Sequence, residues 1–301
     1  VRIAVAATPE VAIPTLDALL ASEHELVCVI TRPDAPAGRG RALQGTPVAN
    51  WAVTNSVKLF KPDTSQSLGE LIADLDLVVT IGYGLLLPIE VLVKPKYGFI
   101  NLHFSLLPRW RGAAPVQRAI EAGDSVTGVT VFALDAGMDT GPIYLSAQIP
   151  LSISTTADQL FQSLANLGVE PVLKTLDLIE RGEAPTPQNN AGATRAYKLS
   201  KEEGLIDWNS DAEAINRKVN AFNPNPGAWS NFRGQIIKIN KVRVSNESAI
   251  AGVLKAAEKS IYIGTGTSAL ELLEVTPAGK AQMSATSWAN GARLSATDML
   301  Q

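Results

Sequence analysis

Short apolar runs alternate with amphipathic stretches through the first half of the chain. Ile3–Ala7, Leu26–Ile30, Leu77–Thr80 and Phe99–His103 are brief and rich in Val and Ile, and they read as buried strands. Between them, Val11–Leu20, Val48–Asn55, Leu68–Ala73 and Pro115–Glu121 carry apolar residues at helical spacing. Strands separated by helices predict a parallel sheet covered on both faces. Two further strands, Thr127–Leu134 and Ile143–Ile149, follow across a Gly-rich turn. Ala157–Ile179 then reads as one helical stretch, bent at Pro171.

The pattern changes after that helix. Residues 182–200 hold two Pro, two Gly and several small polar residues, the composition of a linker. Beyond a helix near Asp211–Ala221 come short strands at Gln235–Val244, Gly252–Leu254, Ile261–Ile263 and Leu270–Val275, which predict a small barrel. There is no internal repeat or low-complexity tract to suggest an array.

Composition narrows the class. With 301 residues and 46% hydrophobic content the chain buries a real core, so wholesale disorder is excluded. A single Cys excludes an internal disulfide, and two His with that Cys leave almost nothing for a zinc site, so no metal is expected. The longest uncharged apolar stretch, Leu77 to Ile89, is interrupted by Gly82, Gly84 and Pro88, and falls short of the ~20 residues that span a bilayer. The opening VRIAVAATPE lacks the layout of a signal peptide. A chain with no membrane partner and a cytoplasmic location is expected. Net charge is only -3, but it is uneven: residues 1–194 hold 13 Lys+Arg against 19 Asp+Glu, and residues 195–301 hold 13 against 10. A mildly basic barrel face is one way to hold a nucleic-acid backbone, although ordinary scatter explains the split as well.

The chemistry concentrates in Gly98–Ile120. Asn101 and His103 stand two apart at the end of a predicted strand, so their side chains point the same way. Ligands of parallel sheets bind at such strand ends. The apolar loop Ser105–Pro108 follows, suited to form a pocket wall that recognises a heterocycle through its backbone. The turn from Asp135 to Pro142 offers a carboxylate, and spacing does not choose between Asp135 and Asp139. Asn, His and Asp together suit acyl transfer to an amine, with the carboxylate taking a proton while the amide and imidazole stabilise an oxyanion. Ser105 lacks a nucleophile-elbow motif, Cys28 lies inside a predicted strand as inert core, and His24, between Glu23 and Glu25, reads as a surface residue. There is neither a GxGxxG fingerprint after the first strand nor a Walker lysine, so the reaction needs a donor bearing its own activated group, or is a hydrolysis.

At these residues the sequence resembles the folate-dependent formyltransferases. The match centres on NLHFSLLPRWRGAAPVQRAI at 101–120 and LDAGMDTGPI at 134–143. The Asn-x-His-x-Ser-Leu-Leu-Pro core is common to the superfamily. More discriminating are Arg111-Gly-Ala-Ala-Pro-Val-Gln-Arg118, the loop Arg32–Arg41, LSKEEGLIDW at 199–208 and AFNPNPGAW at 221–229. These point to the branch that acts on methionyl initiator tRNA. Two positions depart from the family pattern, Ala7 where Gly is usual and Ala12 where an aromatic is common.

The resemblance implies a Rossmann-like, mostly parallel α/β sheet of the formyltransferase fold over residues 1–182. A linker at 183–206 and a C-terminal OB-like β-barrel domain at 207–301 that helps to hold tRNA would follow. It implies transfer of a formyl group from 10-formyltetrahydrofolate, as cosubstrate, to the α-amine of methionine on initiator tRNA, by a monomer. It assigns Asn101, His103 and Asp139 to catalysis, favouring Asp139 over Asp135. Ser105, Leu106, Leu107 and Pro108 fall to the folate site, and Arg39 and Arg41 to the tRNA acceptor stem. Enzymes with small acceptors fit less well. Glycinamide enzymes typically lack the second domain, and sugar-nucleotide enzymes are not expected to have the Arg111–Arg118 run or the Arg32–Arg41 loop. A non-catalytic RNA-binding protein would not need Asn101, His103 and Asp139 intact.

Overall fold

The computed structural model describes residues 1–37, 42–257 and 259–301. The chain divides into two compact units. One comprises Val1–Gly112, Val126–Ile149 and Phe161–Arg195, the other Ala113–Ser125, Pro150–Leu160 and Ala196–Gln301.

The first unit is built on a seven-stranded sheet in the order Ile143–Pro150, Val126–Ala133, Phe99–His103, Leu77–Ile81, Arg2–Ala7, Glu25–Ile30, Leu59–Phe60. The five strands from Phe99–His103 to Leu59–Phe60 pair in parallel, and the direction reverses where Phe99–His103 meets Val126–Ala133. Every residue of Leu77–Ile81 is buried, as are Ile3 to Ala7. A strand with both faces covered cannot alternate apolar with polar, which is why these runs read as continuously hydrophobic. Each fully buried Val, Leu or Ile among them contributes roughly 1.5–3 kcal/mol.

The connecting helices start at recognisable caps. The Thr46 side chain accepts from the Ala49 N–H ahead of Pro47–Thr54, and Thr64 forms a capping box with Ser67 ahead of Ser65–Leu71. The stretch expected to bend at Pro171 is instead two helices, Ala157–Leu167 and Val169–Glu180, that part at Gly168. A Cβ there would stand 2.5 Å from Leu102 Cδ2, so a larger residue would have to push that buried leucine aside. Pro171 lies in the first turn of the second helix, where its missing N–H costs nothing. His24 is also corrected. Its side chain is only 10% exposed, with Nε2 3.8 Å from Asp177 Oδ1 on the second of these helices, so it lies under that helix and not on the open surface.

The second unit carries an antiparallel sheet in the order Trp229–Phe232, Gln235–Val244, Ala269–Pro277, Ile261–Gly264, Leu254–Ala256, with Met283–Ser284 added beside Ala269–Pro277. It curls into a half-barrel, with Ile237, Ile239, Ile261, Ile263, Leu270, Leu272 and Val275 buried. The Phe232–Gln235 hairpin turns through Arg233 and Gly234, both at positive φ as a two-residue turn of this hand requires. The helix Ala212–Phe222, capped by Asp211, lies against Gln235–Val244 and buries Ile215, Val219 and Phe222. Among the described residues no helix is long and apolar enough to cross a membrane.

Candidate active site

The strand Phe99–His103 ends the parallel half of the first unit's sheet, with Thr80 opposite Asn101 on one side and Thr130 opposite His103 on the other. Alternation along the strand sets Asn101 and His103 on the same face at its C-terminal end. Thr80 Oγ1 lies 2.8 Å from Asn101 Oδ1, nearer than its 3.1 Å contact with the Ile100 carbonyl. The threonine hydrogen therefore goes to the amide oxygen and leaves the Asn101 Nδ2 hydrogens to donate elsewhere.

His103 is 6% exposed. Its Nε2 is 2.9 Å from the Trp110 carbonyl, and a carbonyl only accepts, so Nε2 carries a hydrogen. The other ring nitrogen, Nδ1, stands 3.8 Å from Asp139 Oδ2. The ring meets Phe132 edge-on, which holds its plane. Trp110 has φ of 65°, the left-handed turn that brings its carbonyl back to the imidazole. The turn is tied down by Thr194, whose hydroxyl accepts from the Trp110 N–H and whose carbonyl accepts from the Arg111 N–H.

Both candidate carboxylates sit on the turn between Val126–Ala133 and Ile143–Pro150, and they differ in what they face. Asp135 Oδ1 accepts from the Gly137 N–H at 2.9 Å and from Thr140 Oγ1 at 2.8 Å, so it serves the turn itself. Asp139 Oδ2 accepts from the Gly112 N–H at 2.7 Å and looks toward His103, while its other carboxylate oxygen has no hydrogen-bond partner among the described residues. The geometry joins His103 to Asp139, with Asn101 on the same strand face, and leaves Asp135 out. Gly141 makes the turn possible, since a Cβ there would lie 1.8 Å from the Ala133 carbonyl oxygen.

The loop Ser105–Pro108 follows directly. Ser105 is fully buried, its hydroxyl donates to the Arg109 carbonyl, and its carbonyl accepts from Thr130 Oγ1. The Leu107 N–H donates to that same threonine oxygen, and the Leu106 carbonyl accepts from the Arg109 N–H. Much of the loop's polar backbone is thus spent on its own shape, leaving half-buried Leu106 and Pro108 to offer a surface. Arg39 and Arg41 lie outside the described residues. Cys28 is buried, and burial pushes its thiol up to about 11, with Lys58 opposing, so it is no nucleophile at neutral pH. Among the described residues no three His, Cys, Asp or Glu gather to hold a metal ion.

Sequence reasoning missed the residues that aim these groups. Thr80 sits inside an apolar run, the Gly112 N–H and Trp110 carbonyl are main-chain groups, and Gln188 falls in the stretch whose composition reads as a linker.

Two family patterns place the chain among the transferases of one-carbon acyl groups: it belongs to the formyl transferase family, whose N-terminal domain pattern, described as formyl transferase, matches residues 1–176 and whose C-terminal domain pattern matches residues 198–293. It is 44% identical over 302 residues to the methionyl-tRNA formyltransferase of Thermobifida fusca, covering 97% of each chain. It is 43% identical to that of Mycobacteroides abscessus, covering 98% of each. Among solved structures, HypX from Aquifex aeolicus in complex with tetrahydrofolic acid superposes with a TM-score of 0.68 at 20% identity. That match covers 96% of this chain and 46% of HypX, so the chain spans about half the length of that protein and shares its fold.

Proposed function

We propose that the chain transfers the formyl group of 10-formyltetrahydrofolate to the α-amine of methionyl initiator tRNA, as a cytoplasmic monomer with no membrane partner. The observation that carries this reading is the approach of His103 Nδ1 to Asp139 on the Asn101 side of the sheet, in a chain similar over nearly its whole length to methionyl-tRNA formyltransferases.

The donor supplies an activated formyl carbon when bound. Attack by a neutral amine builds negative charge on the formyl oxygen and positive charge on nitrogen. The Asn101 Nδ2 hydrogens address the first, contributing on the order of 2–4 kcal/mol where the donors are preorganised, and His103 joins them only through a hydrogen on Nδ1, because its Nε2–H is spent on the Trp110 carbonyl. The Asp139 carboxylate, with one oxygen held by Gly112 and the other without a partner among the described residues, takes the amine proton. The bond between the formyl carbon and the donor nitrogen then breaks, that nitrogen takes up a proton, and tetrahydrofolate leaves. Leu106 and Pro108 form the wall for the folate, with buried Ser105 and Leu107 holding the loop behind them, and Arg39 and Arg41 enter the acceptor stem. In domain terms, residues 1–182 carry the chemistry, 183–206 connect, and 207–301 hold the tRNA.

The test is an acceptor assay with 10-formyltetrahydrofolate, offering methionyl initiator tRNA, uncharged tRNA and small amines in parallel. Formylation confined to the charged tRNA is expected. A small amine used more efficiently, or no transfer to the charged tRNA, would overturn the reading.

A further inference from the structure

Asp139 has φ of 54°, a left-handed conformation that is uncommon for a residue other than glycine. Something must hold it there, and the atoms that do so come from the segment after the helix Val169–Glu180. Gln188 Nε2 donates to the Asp139 carbonyl at 3.0 Å and to the Gly141 carbonyl at 2.7 Å. Those two carbonyls flank Thr140, so one amide group fixes the peptide planes on both sides of the turn.

The orientation of that amide is itself determined. Gln188 Oε1 accepts from Arg111 Nε at 3.1 Å and from Arg111 Nη2 at 2.5 Å. A guanidinium only donates and a carbonyl only accepts, so the oxygen must face Arg111 and the nitrogen must face the turn. Arg111 is nine-tenths buried, and its Nη2 also donates to Asn190 Oδ1 at 2.9 Å. No ion pair of Arg111 with a carboxylate is found among the described residues. Arg111 precedes Gly112, whose N–H holds the Asp139 carboxylate, so the backbone on one side and the Gln188 amide on the other grip the same aspartate.

We infer that Gln188 is a positioning residue for Asp139, its amide turned to the task by Arg111. This rests on the assignment of Asp139 as proton acceptor made above. Gln188→Glu keeps an oxygen for Arg111 but replaces the donor facing two carbonyls with an acceptor. Gln188→Leu removes both contacts.

The experiment measures steady-state formylation of methionyl initiator tRNA by wild type, Q188E, D139N and the double variant, with thermal unfolding as a fold check. Q188E is expected to lower kcat about 10–100-fold, the scale of a misplaced catalytic group, with KM for either substrate changed by less than about twofold. In the D139N background the same substitution is expected to cost less than about threefold, because the group it positions is already gone. An equal loss in both backgrounds, a change confined to KM, or a fully active Q188E would overturn the inference while leaving D139N to speak for the catalytic assignment. A fully active D139N would instead remove the reading beneath it. Should Q188E fail to fold, Q188L is carried through the same four-way comparison.

Discussion

Replacing Asp139 with Asn isolates charge and basicity from geometry. In the wild-type site Oδ2 accepts from the Gly112 N–H at 2.7 Å and lies 3.8 Å from His103 Nδ1. Only an oxygen can accept from Gly112, so the variant amide must place its carbonyl oxygen in that corner and its NH2 where the uncommitted carboxylate oxygen had been. The side chain keeps its seat, its tether and its distance to the imidazole, and loses the oxygen proposed to receive the amine proton. A positioned general base is worth about 10²–10⁴ in rate, so kcat should fall by that factor, about 3–5 kcal/mol in the barrier at 1.36 kcal/mol per tenfold. The assay is single-turnover formylation of methionyl initiator tRNA, alongside tRNA binding measured by filter retention, which should stay within about twofold because uniform binding is untouched. A rate within threefold of wild type would show that the proton leaves by another route, and the role given to this carboxylate would be wrong.

Two further outcomes follow from the same structure. Gly141→Ala forces a Cβ to within 1.8 Å of the Ala133 carbonyl oxygen, a backbone atom that cannot rotate away. The expected result is about 1–3 kcal/mol of lost stability in urea titration together with reduced kcat, and a variant with wild-type stability contradicts the packing argument. In the second unit, hydrogen bonds from Arg233 and from the Ser295 N–H hold the Asp298 carboxyl down at about 2. Its unfolded value is about 3.9, so the stabilisation is full above about pH 4 and drains as pH falls toward 2. Unfolding free energy measured against pH should drop less steeply over that window in D298N, and an unchanged slope would assign the acid lability elsewhere.

The main sheet is legible in the sequence because its strands are buried on both faces. Ile3–Ala7, Leu77–Thr80 and Phe99–His103 have no polar residue until the strand reaches its working end, and each is found within a residue or two of the pattern. Short elements escape such reading. Leu59–Phe60 is a two-residue edge strand, and the helix Ala285–Ala292, with Ser, Asn and Gly among its eight residues, has too few turns to show a period. The bend placed at Pro171 falls instead at Gly168: proline is a local signal that a first helical turn tolerates, whereas the crowding of position 168 by Leu102 comes from a distant strand.

The candidate site divides along the same line. Asn101 and His103 are visible because one strand presents both, and a period of two is written in consecutive residues. Which aspartate joins them is decided by contacts that span the chain: Gly112 reaches Asp139 across 27 positions and Gln188 reaches it across 49, while Asp135 finds its partners within five. The Asp135 carboxylate takes both of these contacts at Oδ1 from within its own turn, and so is turned toward that turn. The Asp139 carboxylate is held at Oδ2 by the remote Gly112 N–H, with Gln188 on its backbone carbonyl, and it faces His103. That difference in what the two carboxylates face, and not the spacing within Asp135–Asp139, is the reason Asp139 is the one proposed as proton acceptor. It also explains why the stretch around Gln188, polar and poor in periodicity, reads as a connector although its side chains close the network around the site.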